Sequence, residues 1–392
     1  MQAWNTVGVP RLPGNGERPA IHDTVSGSQV VVGPESGTAR SYACGITPYD
    51  ATHLGHAFTY VCVDLLHRVW LDAGLDVHYA QNITDVDDPL LQRAAETGAD
   101  WRELAASQVD LFVSDMSALR VLPPSDYLGV VESLEDVVAA IAGLRERGAV
   151  YQLPGGDWYF AVESDAGFLA GRDLAADLAV FAERGGDPDR GGKRHRLDPL
   201  VWRAERPGEP SWPSELGPGR PGWHVECTAI AIKALGNHFD VQAGGSDLAF
   251  PHHPMCASQA LVLTGEPFAT AYFHVGMVGL DGEKMSKSRG NLVFVHRLLA
   301  GGADPMAVRL ALLAHHYRQD WEYTPKCLAE AATRLDRWRS ATGTSVSRLA
   351  ELRQALADDL NTPAALAIVD EWAAAGGGTE MLSAVDALLG VR

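Results

Sequence analysis

Apolar residues recur every four positions between His53 and Ala73, where Val61, Leu65 and Val69 share one face with Leu66 and Trp70 beside them. That period predicts a helix, with Gly74 as its stop. Ahead of it, Val30 to Val32 and Ala39 to Gly45 read as short strands, and Ile46 to Thr52 as a Pro-containing loop. Behind it, Val77 to Ile83 reads as the next strand. A strand, a helix and a strand in this order predict a parallel sheet. Residues 1–28 are rich in Gly, Pro and polar residues and read as loosely structured.

Further along, Pro89 to Leu119 and Tyr127 to Arg147 carry helical patterns. Residues 148 to about 200 change character, with many Gly, Asp and Arg, and read as an insertion. From about Leu200 to Gly290 the strand and helix pattern resumes. Trp223 to Cys227 opens a helix, Phe239 to Gln242 is a strand, and His252 to Leu263 is helical. Beyond Asn291 the pattern is almost wholly helical, and no internal repeat is visible. The fold class is therefore α/β, with a helical region at the end.

Composition narrows the partners. At 392 residues the chain is too long for one compact core. It is 46% hydrophobic and 21% charged, the balance of an ordinary globular protein. No stretch approaches the roughly 18 apolar residues of a membrane helix, and Met1 to Ala20 lacks the pattern of a secretory signal. We expect a cytoplasmic protein, a monomer with no membrane partner. The formal net charge of -18 runs against a partner held by many phosphate contacts, so no nucleic-acid partner is expected. The one dense basic run, Lys193 to Arg196, reads as a solvated turn. Five scattered cysteines, without a CxxC pair, do not make a disulfide framework.

Two short motifs carry chemistry. His53-Leu54-Gly55-His56 sits where a strand hands over to a helix, whose N-terminus offers N–H groups and a positive dipole end to an anion. Gly55 admits close backbone approach, and the imidazoles of His53 and His56 can donate to phosphate oxygens. Lys284-Met285-Ser286-Lys287-Ser288 brings two lysines to a loop suited to a departing pyrophosphate. Each motif alone has a plain explanation, a helix cap or a polar loop. Together, in this order and either side of an insertion, they resemble the class I aminoacyl-tRNA synthetase signature. That resemblance implies a Rossmann-like parallel sheet with ATP as substrate, accompanied by Mg²⁺. His53, His56, Lys284 and Lys287 would stabilise the transition state. It also implies a catalytic domain over residues 1–290, with an insertion at roughly 120–200, and a helical domain over 291–392.

Three further segments resemble cysteinyl-tRNA synthetase: Cys44-Gly45-Ile46-Thr47-Pro48-Tyr49-Asp50, Gly222-Trp223-His224-Val225-Glu226-Cys227, and Gly244-Gly245-Ser246-Asp247-Leu248 running to Phe250-Pro251-His252-His253. The resemblance implies one Zn²⁺ per chain on Cys44, Cys227 and His252, with an open position for the thiolate of substrate cysteine. It places the adenylate against Cys44, Gly45, Ile46, Thr47, Thr59, Asn82, Ile83, Thr84, Trp223, Gly245, Ser246, Asp247 and the backbone near Val278. Asp247 would accept a proton from the attacking amine, orient the sugar, or act as a local cap. Ala243 stands where the pattern has a glycine. Cys256, four residues after His252, stands where it has a Glu, and is expected to lie near the metal without binding it.

Glu183-Arg184-Gly185-Gly186-Asp187-Pro188, Met1-Gln2-Ala3-Trp4 and Asn82 to Pro89 resemble the mycothiol-pathway ligases over nearly the whole chain. Those ligases are relatives of the synthetase that join cysteine to glucosaminyl-inositol. About 100 residues follow the lysine loop, which leaves room for a helical bundle around Asp358-Asp359-Leu360-Asn361-Thr362-Pro363 but none for an anticodon reader. The implied substrates are L-cysteine, ATP and glucosaminyl-inositol. The alternative is a truncated cysteinyl-tRNA synthetase.

Overall fold

The computed structural model describes residues 1–285 and 290–392; of Lys284 only the backbone is described, and Lys287 lies outside the described residues. A hairpin of β1 (Ala20–Asp23) and β2 (Ser28–Val31) precedes β3 (Thr38–Ala43). The chain continues through α1 (Leu54–Asp72), β4 (Asp76–Ile83), α2 (Asp88–Thr97) and α3 (Trp101–Ala118). Next come β5 (Asp126–Gly129), α4 (Leu134–Glu146), β6 (Val150–Gln152), β7 (Trp158–Phe160) and α5 (Leu174–Glu183). They are followed by β8 (Leu200–Ala204), β9 (Gly219–Pro221), α6 (Trp223–Leu235), β10 (Phe239–Gly245) and α7 (His252–Thr264). Then come β11 (Ala269–Val275), β12 (Val278–Leu280), β13 (Glu283–Lys284), α8 (Val295–Ala300) and α9 (Pro305–Leu313). The last elements are β14 (Trp321–Glu322), α10 (Pro325–Ser340), α11 (Leu349–Ala357), α12 (Thr362–Ala374) and α13 (Thr379–Leu389). Among the described residues no helix is long and apolar enough to cross a membrane.

The central sheet has the order β11-β10-β3-β4-β5, every neighbour parallel. β3 leads away through α1 to β4 on one side, and β10 leads through α7 to β11 on the other. The strand order therefore runs outward in opposite directions from β3 and from β10, and a crevice opens at their carboxyl ends, where ligands bind in open α/β sheets. Strands β6 to β9 form a separate antiparallel sheet with its own apolar cluster around Val137, Phe160, Val201 and Trp202. That sheet runs to Pro221, so the second half of the parallel sheet resumes with α6.

Three local expectations change. The segment from Pro89 to Leu119 is two helices, because Gly98 adopts a left-handed cap (φ 67°) and Asp100 restarts the chain by accepting from the N–H groups of Arg102 and Glu103. Tyr127 lies in the edge strand β5, in register with Gln81, and the helix starts only at Leu134. A short strand, β1, also breaks the loosely structured start; Ala20 to Asp23 pair with Val31 to Ser28.

Helix α1 is buried on nearly every face, as expected of a helix at the centre of a protein. It packs against α9 and α13 as well as the sheet. At its middle sits a charged node with no solvent exposure. Asp64 accepts from Arg68 Nε at 2.7 Å, from Arg309, and from the Leu122 N–H at 2.8 Å. Two guanidiniums share that one carboxylate, and backbone carbonyls at helix ends compensate the surplus. Arg309 donates to Leu389 O at 2.6 Å and Leu119 O at 2.8 Å, and Arg68 to Asp386 O at 3.0 Å. These carbonyls close α13 and α3, where the helix dipole is negative. Burial opposes ionisation of Asp64, but Arg309 and Arg68 win and hold it below the usual carboxylate range. Burial also draws Arg309 down to about 10.

Asp64→Asn should strand two buried cations, at a cost of about 3–5 kcal/mol. Urea denaturation followed by intrinsic tryptophan fluorescence checks this; an unchanged midpoint would show that the node does not hold α1 to the C-terminal helices.

Candidate active site

The site forms where β3 ends. Gly45 follows Cys44 and passes so close to β4 that a Cβ on it would lie 1.5 Å from the Asn82 carbonyl oxygen. Only glycine fits there. The Asn82 side chain completes the contact: its Oδ1 accepts from Gly45 N–H at 2.8 Å and Tyr42 O–H at 3.0 Å, and faces Cys227 Sγ at 3.6 Å. Its Nδ2 donates to Thr84 Oγ1 at 3.2 Å. Asn82 is fully buried and turned inward, as are Ile83 and Thr84. These three residues shape the floor on which Gly45, Ile46 and Thr47 lie, and Thr84 N–H donates to Ile46 O at 3.0 Å.

Three elements then deliver the candidate metal donors. Cys44 leaves the end of β3, Cys227 lies in the first turns of α6, and His252 opens α7. Their sulfur and nitrogen atoms lie within 4.8 Å of one another, and all three residues are buried. Cys44 and Cys227 belong to an apolar cluster with Ala80, Val130, Ile230 and Phe268. Contact with Cys44 and then burial push the Cys227 thiol up, while burial and then His224 hold His252 well below the usual imidazole value. The imidazole is thus neutral, the form that binds metal, and a metal binding here would displace the proton of the Cys227 thiol. Two sulfurs and one imidazole suit a borderline-soft divalent ion and leave one tetrahedral position over. Cys256 Sγ lies 3.3 Å from His224 O and 3.7 Å from His252 Nε2, beside the converging set of Cys44, Cys227 and His252 but not one of its members.

A chain of neutral histidines backs this pocket. Cys44 Sγ meets His253 Nε2 at 3.3 Å, His253 Nδ1 meets His274 Nε2 at 2.7 Å, and His274 Nδ1 meets Thr24 Oγ1 at 2.5 Å. The Thr24 hydroxyl donates to Tyr272 O at 3.1 Å. It therefore accepts from His274, which fixes the direction of the whole chain and leaves His253 Nε2 to accept from the Cys44 thiol. Trp223 closes another side, its ring 4.4 Å from that of His252. His253 stands beside His252 in the sequence motif, whereas His274 and Thr24 carry no local signal.

On the nucleotide side, His53 is the N-cap of α1. Its Nδ1 accepts from Gly55 N–H at 3.1 Å, leaving the proton on Nε2. A Cβ at residue 55 would meet that ring at 2.9 Å, a second reason for glycine there. The His53 and His56 rings stack at 3.8 Å. Burial draws His56 down to about 4, so it is a neutral donor or acceptor at pH 7, and its Nδ1 is buried without a partner among the described residues. The helix end itself offers less than its sequence implies. Leu54 N–H donates to Val293 O at 2.9 Å, and Gly55 N–H is taken by His53.

The rest of the predicted set divides. Thr59 donates to Gly55 O at 3.2 Å, and its hydroxyl lies about 4.0 Å from where a Cβ on Gly245 would be. Gly245, Ser246 and Asp247 turn out of β10, and a Cβ on Gly245 would meet Asp247 Oδ1 at 2.5 Å. Arg184, from the end of α5, donates to the Asp247 carbonyl and ties the antiparallel region to this turn. Ala243 is buried in β10, its carbonyl accepting from Cys44 N–H at 3.1 Å, so a methyl is accommodated there. Val278 is buried, and its carbonyl accepts from Met285 N–H at 3.3 Å. Tyr49 is pushed up by burial and then by the nearby Asp50, Asp247 and Asp87.

Comparison with known proteins places the chain in a family. Residues 31–333 match the family described as tRNA synthetases class I (C) catalytic domain. The chain is 58% identical over 388 residues to the L-cysteine:1D-myo-inositol 2-amino-2-deoxy-alpha-D-glucopyranoside ligase of Kineococcus radiotolerans, covering 95% of this chain and 93% of that one. It is 58% identical over 411 residues to the ligase of the same name from Streptosporangium roseum, covering 100% of each. In fold it is similar to Mycobacterium tuberculosis methionyl-tRNA synthetase in complex with methionyl-adenylate, with a TM-score of 0.62, 16% identity, and coverage of 86% of this chain and 82% of that one. The chain belongs to the L-cysteine:1D-myo-inositol 2-amino-2-deoxy-alpha-D-glucopyranoside ligase family, built on a class I tRNA synthetase catalytic domain.

Proposed function

We infer that this chain is an ATP-dependent, AMP-forming ligase that activates L-cysteine and joins it to the amine of glucosaminyl-inositol, as in mycothiol biosynthesis. The observation that carries the reading is the buried Cys44, Cys227 and His252 set at the reversal point of the sheet, beside the His53 and His56 cleft. Zinc bound there would hold the substrate sulfur as thiolate and select it over a hydroxyl. The protein acts as a monomer in the cytoplasm without a nucleic-acid or membrane partner, its catalytic unit spanning residues 1–290 and its helical unit 291–392.

In the first step a cysteine carboxylate oxygen attacks the α-phosphorus of ATP, and pyrophosphate leaves with its bonding electrons. His53 donates from Nε2 to the phosphate oxygens. His56 contributes as a neutral dipole, because burial withholds its proton. The cationic share falls to Lys284 and Lys287, with Mg²⁺ on the nucleotide. Gly45, Ile46, Thr47, Thr59, Trp223, Gly245, Ser246 and Asp247 bound the adenylate, while Asn82, Ile83, Thr84 and the Val278 backbone support it from behind. In the second step the acceptor amine attacks the cysteinyl carbonyl carbon, AMP departs, and the amine loses a proton. The carboxylates of Asp50, Asp87 and Asp247 around Tyr49 favour an acceptor that arrives as an ammonium over one that arrives as a polyanion.

Purified protein should exchange pyrophosphate into ATP only when cysteine is present, and release AMP with an amide product only when glucosaminyl-inositol is added. Cysteine transfer to tRNA instead would establish the truncated synthetase. Cys227→Ser should lower zinc well below one per chain by elemental analysis and raise the KM for cysteine by more than about 100-fold; full zinc occupancy would remove Cys227 from the ligand set. His56→Ala should lower kcat for exchange by roughly 100-fold while leaving the KM for cysteine alone. Since the neutral ring is the working form, the contribution of His56 should be constant from pH 6 to 8 and be lost only as pH falls through about 4; a loss centred near pH 6.5 would show that it works in a solvated, ordinary state.

A further inference from the structure

The segment that carries the lysines is held to helix α1 at both ends. On its exit side Leu54 N–H donates to Val293 O at 2.9 Å, Val295 N–H donates to Thr52 O at 3.0 Å, and His53 lies opposite Phe294 in an antiparallel bridge. This backbone clasp joins the chain after the lysines to the start of α1. On the entry side β12 turns through Asp281 and Gly282, both left-handed (φ 57° and 80°), into β13, which delivers Lys284. Leu280 pairs with Glu283 and Gly279 with Lys284. A two-residue turn of this kind suits adjacent antiparallel strands, but strands this short make a marginal hairpin without a third.

The third strand is β14, and it comes from the helical end of the chain. Val278 pairs with Trp321 and Gly279 with Glu322, in parallel, so Lys284, Gly279 and Glu322 lie in one row. The join is dense. Gly276 N–H donates to Tyr317 O at 2.7 Å, Met277 N–H to Asp320 Oδ1 at 2.7 Å, Trp321 N–H to Met277 O at 3.0 Å and Tyr323 N–H to Gly279 O at 2.9 Å. A Cβ at residue 276 would stand 2.4 Å from Gln319 O, so only glycine admits this approach. The two residues of β14 then reach in different directions. Glu322 accepts from the Gly282 N–H at the tip of the hairpin. Trp321 reaches α1: its ring meets that of Phe58 edge-on at 5.7 Å and lies flat on that of His315 at 3.9 Å. Phe58 is fully buried and stands two residues beyond His56. The indole N–H of Trp321 is buried without a hydrogen-bond partner among the described residues, so the ring and not the donor is what this position uses.

We propose that Trp321 and Glu322 are positioning residues for the ATP-dependent step, setting the hairpin that delivers Lys284 at a fixed height against the helix that carries His53 and His56. The proposal rests on the activation chemistry inferred above. In that step negative charge accumulates on pyrophosphate as it leaves, and a cation shifted from its place serves that charge poorly. No pyrophosphate is present in the second step, so the coupling has nothing to act on when the amine attacks the adenylate. Cys44, Cys227 and His252 come from β3, α6 and α7, outside this three-stranded sheet, and cysteine binding does not depend on it.

The test is full-length Trp321→Leu, assayed for cysteine-dependent ATP–pyrophosphate exchange and, separately, for transfer from supplied cysteinyl-adenylate to glucosaminyl-inositol. Zinc content is measured on the same preparation. We expect kcat/KM for ATP in exchange to fall by about tenfold to a hundredfold, the scale of a small misplacement of reacting groups. The KM for cysteine, the zinc content and the rate of transfer from the adenylate should stay unchanged. Trp321→Phe, which keeps an aromatic ring for Phe58, should recover most of the loss. Glu322→Ala changes an exposed residue, so it keeps the test open if Trp321→Leu does not fold, and it must give the same ATP-selective loss. Unchanged ATP parameters in either variant, or exchange and transfer falling together, would overturn the proposal. A wild-type protein without any exchange would sink the activation chemistry itself, which keeps the two failures apart.

Discussion

The contact between Gly45 and the Asn82 carbonyl is the constraint on which the site depends. Two parallel strands that end side by side normally send their loops apart to make room for side chains. Here the missing Cβ lets the β3 loop lie directly on β4, where any larger residue would overlap the carbonyl. Asn82 then spends its amide on Gly45, Tyr42 and Thr84 and turns its oxygen towards Cys227. One side chain thereby sets the position of Cys44 relative to the helix that carries Cys227. The third donor, His252, comes from the far side of the reversal between β3 and β10. A three-donor cluster from three elements needs such a fixed point, because no single helix or turn spans the spacing.

Burial decides the chemical state of that cluster. In an exposed site His252, His253 and His274 would each titrate at about pH 6.5 and carry a partial positive charge at cellular pH. Enclosure among Ala80, Ile230 and Phe268 removes that ambiguity. The imidazoles are neutral, the Cys227 thiol is pushed up, and the chain ending at Thr24 can run in only one direction. The nucleotide side follows the same rule at His56, which burial draws down to about 4 and so keeps neutral.

Much of this was legible in the sequence, and the reasons for the remainder are physical. Helix α1 and strand β4 announce themselves because both are long and their apolar periods are sustained. The motifs around His53, Cys44, Trp223 and His252 were legible because their chemistry is local. β5 was hidden, since four residues at a sheet edge carry no readable alternation, and Tyr127-Leu128 looks the same in a strand or a helix. The role of Asn82 was hidden for a different reason. A polar residue at a strand end points to a ligand or to the protein with equal ease, and only the approach of Gly45 explains why it points inward. The helix N-terminus misled similarly, because its leading N–H groups are consumed by Val293 and by His53 itself, partners distant or adjacent in ways that a motif does not encode. Asp64, Arg68 and Arg309 lie 245 residues apart at their extremes and left no trace of their meeting.

Those last residues connect the helical end of the chain to the chemistry. Helix α1 carries His53 and His56 at one end and Asp64 with Arg68 further along, and a helix under continuous hydrogen bonding moves as one body. Arg309 of α9 reaches Asp64 and the last carbonyl of α13, while Gly390 makes room for it: a Cβ there would stand 2.6 Å from the Arg309 guanidinium. The depth of α1, and so the height of both imidazoles in the cleft, is therefore set from two directions: by the clasp with Val293 and Val295 at the N-terminus and by the charged node in the middle. A rod fixed at two separated points cannot tilt without breaking one of them. The C-terminal helices thus hold in place the helix that carries His53 and His56.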